Sequence, residues 1–399
     1  MRYIFLILFA VIFLYGNTRA QNKELIDSVD QLIEQQQYHK AFRLLQKADP
    51  ENNDQQLLFK KIDLLTTYYV TSVNHIMFAV KNLKQGETLM DYRGKAGEYS
   101  MFYFDADSLL RRLIRKKGDS PALYREMADY WFEVYLKYGD KPKGRKTPLD
   151  SVKKYSGLAI NAGDQHFDTF YKRAYCYLDE GNFQTAIPLF KESIKRNDTF
   201  PSSHYNLSYA SLSLSMYTNA LVYANKAFEL YDDPAQKADA ARLAGIALLN
   251  MKRPDKALHF FDQSTKHDPN NQYTMQGKIQ AYFMLEEFRK ADSVTIALLN
   301  RFPKNPRIAN LISGLYVDYE QDERFISIME KLIEKYDNNP EVKGNCYFAL
   351  ANVTLKSNPG DAKKYILKAK ENYKKIYPQN HQIFETIQRA LEYIDSQKN

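Results

Sequence analysis

A repeat of 34 residues, complete in residues 167–200, narrows what this chain can fold into more than any other feature. The stretch Phe167–Phe200 reads as two short amphipathic helices around the turn Glu180-Gly181-Asn182-Phe183. In the first predicted helix, Phe170, Ala174 and Tyr177 recur at steps of four and three, so they share one face. Gly181 suits the positive φ that ends a helix. In the second, Ala186, Phe190, Ser193 and Ile194 repeat the spacing, and Ala186 is small where two helices must approach closely. One period on, Tyr171, Tyr175, Phe183 and Ala186 are answered by Tyr205, Tyr209, Tyr217 and Ala220. The next copy offers Ala244-Gly245, Leu248, Ala257, Phe261 and Pro269; the one after gives Tyr282, Phe288, Ala291, Leu298 and Pro303. Consecutive copies with turn residues in phase exceed what chance supplies in a helical chain.

This unit resembles the tetratricopeptide repeat, a helix–turn–helix of ~34 residues marked by a small Ala, a following Phe and a boundary Pro. The resemblance covers most of the chain after its first twenty residues. It implies an all-α fold, an α-solenoid of tandem antiparallel helix–turn–helix repeats wound as a right-handed superhelix, about nine hairpins with a terminal cap helix. Residues 21–120 are then N-terminal repeats with an insertion at about 81–99, and 121–166 a repeat with a basic loop at 138–148. Residues 167–305 are the regular array, 306–378 degenerate repeats, and 379–399 a capping helix and tail. Ahead of the insertion a long helix is expected from about Gln55 to Val80, on Leu57, Leu64 and Leu65 early and Ile76, Met77 and Val80 late.

The first twenty residues read differently. Arg2 precedes an apolar run from Ile4 to Tyr15, and Thr18-Arg19-Ala20 ends in a small residue before Gln21. That is the layout of a secretory signal peptide over 1–20, and the run is short of the ~20 residues a membrane span needs. The expected location is periplasmic or secreted, with no integral membrane segment after cleavage. Losing Arg2 and Arg19 takes the formal charge from +8 to +6, too little to argue for nucleic acid. Cys176 and Cys346 lie about five repeats apart, far beyond the ~7 Å that a disulfide tolerates between Cα atoms, so both read as small buried hydrophobes.

No motif for chemistry emerges. The seven His show no His-x-x-x-His pair, and no Cys-rich cluster supports a metal. Arg93-Gly94-Lys95-Ala96 lacks the earlier Gly and the following Ser or Thr of a phosphate loop. No enzyme, cofactor or metal is expected. A solvated surface loop accounts for Lys141, Lys143, Arg145 and Lys146, and packing accounts for much of the aromatic content of 31 Tyr and 23 Phe.

In the family, the first helix of each unit lines the concave surface. The resemblance therefore places Tyr171, Tyr175, Tyr205 and Tyr209 there, continued by Arg242, Tyr273, Gln276, Gln280 and Asn310. Such Tyr pairs suit peptide backbones and sugar rings, and equally suit contacts between adjacent first helices; both readings are open at this level. Chaperone-binding members grip a carboxylate with Lys and Asn, but here the matching places hold Tyr and only Asn206 is a suitable amide. The expected function is non-catalytic binding of a protein or peptide in the envelope or outside the cell; the alternative is a carbohydrate-binding component using the Tyr groove. Intact-mass analysis of the native protein is expected to find it beginning at Gln21; retention of Met1 refutes the export signal.

Overall fold

The computed structural model describes residues 22–68, 77–87, 89–92, 100–139 and 148–396. The expected signal peptide, the Arg93–Ala96 stretch and the four basic residues of the 138–148 loop lie outside these. The chain divides into two compact units, residues 1–199 and 200–399.

In the first unit, a helix over 22–34 (α1) and α2 (Tyr38–Ala48) form an opening hairpin, followed by α3 (Gln55–Tyr68). The helix expected to run on to Val80 does not reach it: α3 is described to Tyr68, and Met77–Val80 is a strand, β1. Across α4 (Leu89–Tyr92) it pairs antiparallel with β2 (Ser100–Tyr103), Met77 opposite Tyr103 and Val80 opposite Ser100. Phe78 and Val80, two apart, are both buried, as a strand's period requires. The Phe102 ring lies 4.2 Å from that of Phe42 on α2, so the β-hairpin covers that helix. Then come α5 (Ala106–Lys117) and the hairpins α6 (Pro121–Tyr138)/α7 (Pro148–Asn161) and α8 (Phe167–Asp179)/α9 (Phe183–Arg196).

The second unit is helical hairpins throughout its described residues. They are α10 (Pro201–Ser213)/α11 (Tyr217–Leu230), α12 (Pro234–Asn250)/α13 (Pro254–His267), α14 (Gln272–Met284)/α15 (Phe288–Arg301), α16 (Pro306–Asp318)/α17 (Asp322–Lys335) and α18 (Pro340–Thr354)/α19 (Pro359–Tyr373). A last helix, α20 (Gln382–Ser396), buries Ile387 and Ile394 in a cluster with Ile366 and Tyr373 of α19.

Helix starts follow local chemistry. Pro at the first turn opens α6, α10, α12, α13, α16, α18 and α19, where its missing N–H is not needed. Asn182 caps α9 by accepting from the Thr185 N–H at 3.2 Å, and Asn271, Asn305, Asn339 and Asn358 cap later helices in the same way.

Six of the hairpin turns share one backbone shape. Two residues before the second helix, the chain takes a positive φ at Gln36, Gly181, Ser215, Lys252, Glu286 and Glu320. The next residue's N–H then reaches back five residues, as from Asn182 to the Tyr177 carbonyl at 2.8 Å and from Glu287 to Tyr282 at 2.9 Å. This closes the first helix in a Schellman motif. Glycine occupies the position in only one of these turns, and elsewhere a side chain accepts a left-handed backbone because the turn's hydrogen bonds and the packed helices hold it there.

Ala186, Ala220, Ala257 and Ala291 are completely buried, as their spacing requires. At Phe261 the packing is tightest. A Cβ added to Gly245 on α12 would meet the Phe261 ring at 2.6 Å, and one on Gly277 of α14 at 2.4 Å. A fully buried aromatic ring is thus wedged between two bare backbones. Gly277→Ala gains ~1 kcal/mol of helix propensity but forces an overpacking worth about 1–3 kcal/mol, so a lower melting temperature is expected. Gly314, with open space at its Cβ position, supplies the control, and Gly314→Ala should raise it. Adding Phe261→Leu to Gly277→Ala should cost less than Phe261→Leu alone; additive losses would contradict the wedge.

Candidate functional site

In the first unit, Tyr171 and Tyr175 lie half-buried on α8. Both rings meet Phe132 of α6 edge-on, at 6.4 and 5.3 Å, and Tyr175 also meets Tyr135. They join the apolar cluster between adjacent first helices, which is the packing alternative for this pair.

In the second unit the candidates separate. Tyr205 on α10 is half-buried with its ring edge-on to Tyr231 at 6.2 Å, and burial, with help from Asp239, pushes its hydroxyl up to about 12. Asn206 is buried and so is absent from the open surface. Tyr209 is 44% exposed and Tyr273, on α14, 57% exposed. Arg242 on α12 joins these helices: its guanidinium lies 5.7 Å from the Tyr273 ring centre, its Nε–H donates to Asp239 at 3.1 Å, and its charge is felt at Tyr205. Gln276 is half-buried and Gln280 exposed. Further along, Asn310 on α16 accepts from the Asn352 side chain of α18 at 3.1 Å. The structure therefore leaves Tyr209, Tyr273 and Gln280 accessible on first helices, holds Arg242 half-buried beside Tyr273, and covers much of Tyr205 and nearly all of Asn206.

Sequence reasoning missed a second feature, a cavity of about 490 Å³ in the first unit. Its walls come from α1 (Ile26), α3 (Phe59, Lys60, Asp63), α6 (Glu126, Asp129, Tyr130, Glu133) and α8 (Lys172). Most of its charges are already matched. Lys172 donates to Asp129 at 2.7 Å and also pairs with Asp168; burial works to lower the Lys172 pKa, but the two carboxylates overcome it and hold the ammonium charged. Lys60 pairs with Asp30, and Lys137 with Glu133 at 3.0 Å. Burial pushes the Glu126 carboxyl up to about 8, and the negative charges of Asp129 and Asp63 add to the effect. A signal was present in the sequence: Glu126, Asp129, Tyr130 and Glu133 recur at steps of three, one and three, which puts them on one helix face. What the spacing could not show is that Asp63 and Lys172, from other repeats, face the same space.

Sequence profiles described as tetratricopeptide repeat match residues 167–200 and 248–315. Hsp70-Hsp90 organizing protein 3 of Arabidopsis thaliana is 25% identical over 174 residues, 42% of this chain and 29% of that protein. N-alpha-acetyltransferase 25, the NatB auxiliary subunit of Homo sapiens, is 25% identical over 172 residues, 40% of this chain and 17% of that one. The matches thus span less than a third of either relative. Among solved structures, a tetratricopeptide repeat protein from Parabacteroides merdae aligns over 68% of this chain and 98% of its own, at 14% identity and a TM-score of 0.45. Residues 167–200 and 248–315 are tetratricopeptide repeats, and the chain is built as an α-solenoid of tandem helix–turn–helix hairpins.

Proposed function

We propose that this protein is a non-catalytic scaffold that holds a protein or peptide partner on the first-helix face of its second unit. The observation that carries this is the pair of exposed rings, Tyr209 and Tyr273, with Arg242 beside the second. The hairpins already close their interiors with Ala, Phe and Leu, so these rings are not needed to fill a core. Exposed Tyr and Arg are the side chains that most often anchor an interface, because they offer large area at small entropic cost. Both relatives are, by name, proteins that work beside others, an organizing protein and an auxiliary subunit, which supports a holding role. On the strength of the apolar run from Ile4 to Tyr15 we also propose that it works after export, in the envelope or outside the cell.

Crosslinking in the native cell identifies the partner, and affinity measurements on variants then test the surface. Tyr209→Ala combined with Tyr273→Ala should weaken binding at least tenfold, since anchors of this kind carry ~2 kcal/mol or more each. Their melting temperature should stay close to that of the parent. Tyr205→Ala should do the reverse, lowering stability through loss of its contact with Tyr231. Unaltered affinity in the folded double variant overturns the surface.

A further inference from the structure

The acidic cavity of the first unit holds more negative charge than its own lysines answer. Lys60 is engaged by Asp30, Lys172 by Asp129 and Asp168, and Glu133 is answered by Lys137. Asp63 accepts a hydrogen bond from the Thr67 hydroxyl at 3.2 Å but has no basic side chain within ion-pair distance among the described residues. Glu126 lines the cavity, half-buried, and, among the described residues, has neither a hydrogen-bond nor an ion-pair partner. A recessed carboxyl without a partner is costly unless it stays protonated or meets a cation.

We propose that this cavity receives the lysine or arginine side chain of a peptide segment, with Asp63 and Glu126 as the groups that meet its charge. Ile26, Phe59 and Tyr130 supply an apolar wall along which the methylene stem of such a side chain lies while its head reaches the carboxylates. A volume of about 490 Å³ is large enough for a long side chain and the backbone that carries it. A bare metal ion fits the site poorly: among the described residues no three His, Cys, Asp or Glu converge closely enough to hold one. An anion is disfavoured because both lysines are already committed. This inference goes beyond the proposed function and stands on residues of the other unit, so either can fail alone.

The same geometry makes the binding pH-dependent. Glu126 faces Asp63 from α3, Asp129 and Arg125 from α6 and Lys172 from α8; Lys60, Glu133 and Asp168 lie in the same cluster. Burial and the neighbouring carboxylates set its pKa at about 8, so at neutral pH it carries a proton that an incoming cation must displace. Affinity should therefore rise from about pH 6 to about pH 9, and the proton released should appear in calorimetry run in buffers of different ionisation enthalpy.

The test uses the full chain and dye-labelled nine-residue peptide libraries with a fixed central Arg, Lys, citrulline, norleucine or Glu, read by fluorescence anisotropy. Arg and Lys libraries should bind at least about tenfold more tightly than citrulline, which has nearly the shape of Arg without its charge. Combining Glu126→Gln with Asp63→Asn should abolish that preference, and Glu126→Gln alone should flatten the pH dependence. Asp63→Asn at the exposed rim provides a variant that keeps its fold if the double one does not, and it should halve the preference or more. Tyr209→Ala with Tyr273→Ala should leave the preference intact, which separates this site from the surface of the second unit. Equal binding of the Arg and citrulline libraries to the parent protein, or a preference that survives Asp63→Asn and Glu126→Gln, overturns the proposal.

Discussion

Close approach of helices is the constraint on which the rest of this structure depends. A hairpin of two short helices cannot bury its own apolar seam, so each must press against the next, and the distance between them is set by the smallest side chains at the contact. Ala186, Ala220, Ala257 and Ala291 hold that distance down within their hairpins. Large residues then fill what the small ones leave, and the pairing varies from repeat to repeat. Phe261 is answered by Gly245 and Gly277. Tyr373, likewise buried, presses against Gly344 and donates its hydroxyl to Asn345 at 2.8 Å. Thr295, a smaller side chain, is answered by Tyr316, whose hydroxyl reaches both Thr295 and Asp292. Volume is conserved across the interface rather than at any single position, as dense packing demands.

Tight packing also explains why the turns tolerate so little glycine. The left-handed residue at Ser215, Lys252, Glu286 or Glu320 costs a non-glycine side chain roughly 1–2 kcal/mol locally. Helix closure and burial on both sides hold the turn in one shape, and the side chain there stays free to point into solvent. The repeat can therefore vary its turn residue without changing its geometry.

The same alternation of packed and open positions decides what is left for binding. In the first unit Tyr171 and Tyr175 fill the seam against Phe132, while an acidic stripe on α6 opens on to a cavity that α3 and α8 complete. In the second unit Tyr209 and Tyr273 keep large parts of their rings exposed, with Arg242 beside Tyr273. Two surfaces of different chemistry result, one aromatic and one acidic.

The repeat, its period and its buried Ala positions were legible in the sequence because a helix turns every 3.6 residues and a solenoid reuses one contact many times; both leave periodic traces in a single chain. The β-hairpin was not, because Met77 and Val80 fit a helical face as well as a strand, and only pairing with Ser100–Tyr103 separates the two. Nor could spacing tell Tyr205 from Tyr209 or Tyr273. All occupy first helices in the same pattern, and which ring is covered depends on neighbours such as Tyr231 that belong to other helices. The acidic stripe of α6 was visible by its spacing, but the charge balance of the cavity was not. Asp63, Glu126 and Lys172 are far apart along the chain, and a carboxylate's pKa follows from what surrounds it in space: burial and the like charges of Asp129 and Asp63 raise that of Glu126 only after folding has brought α3 against α6.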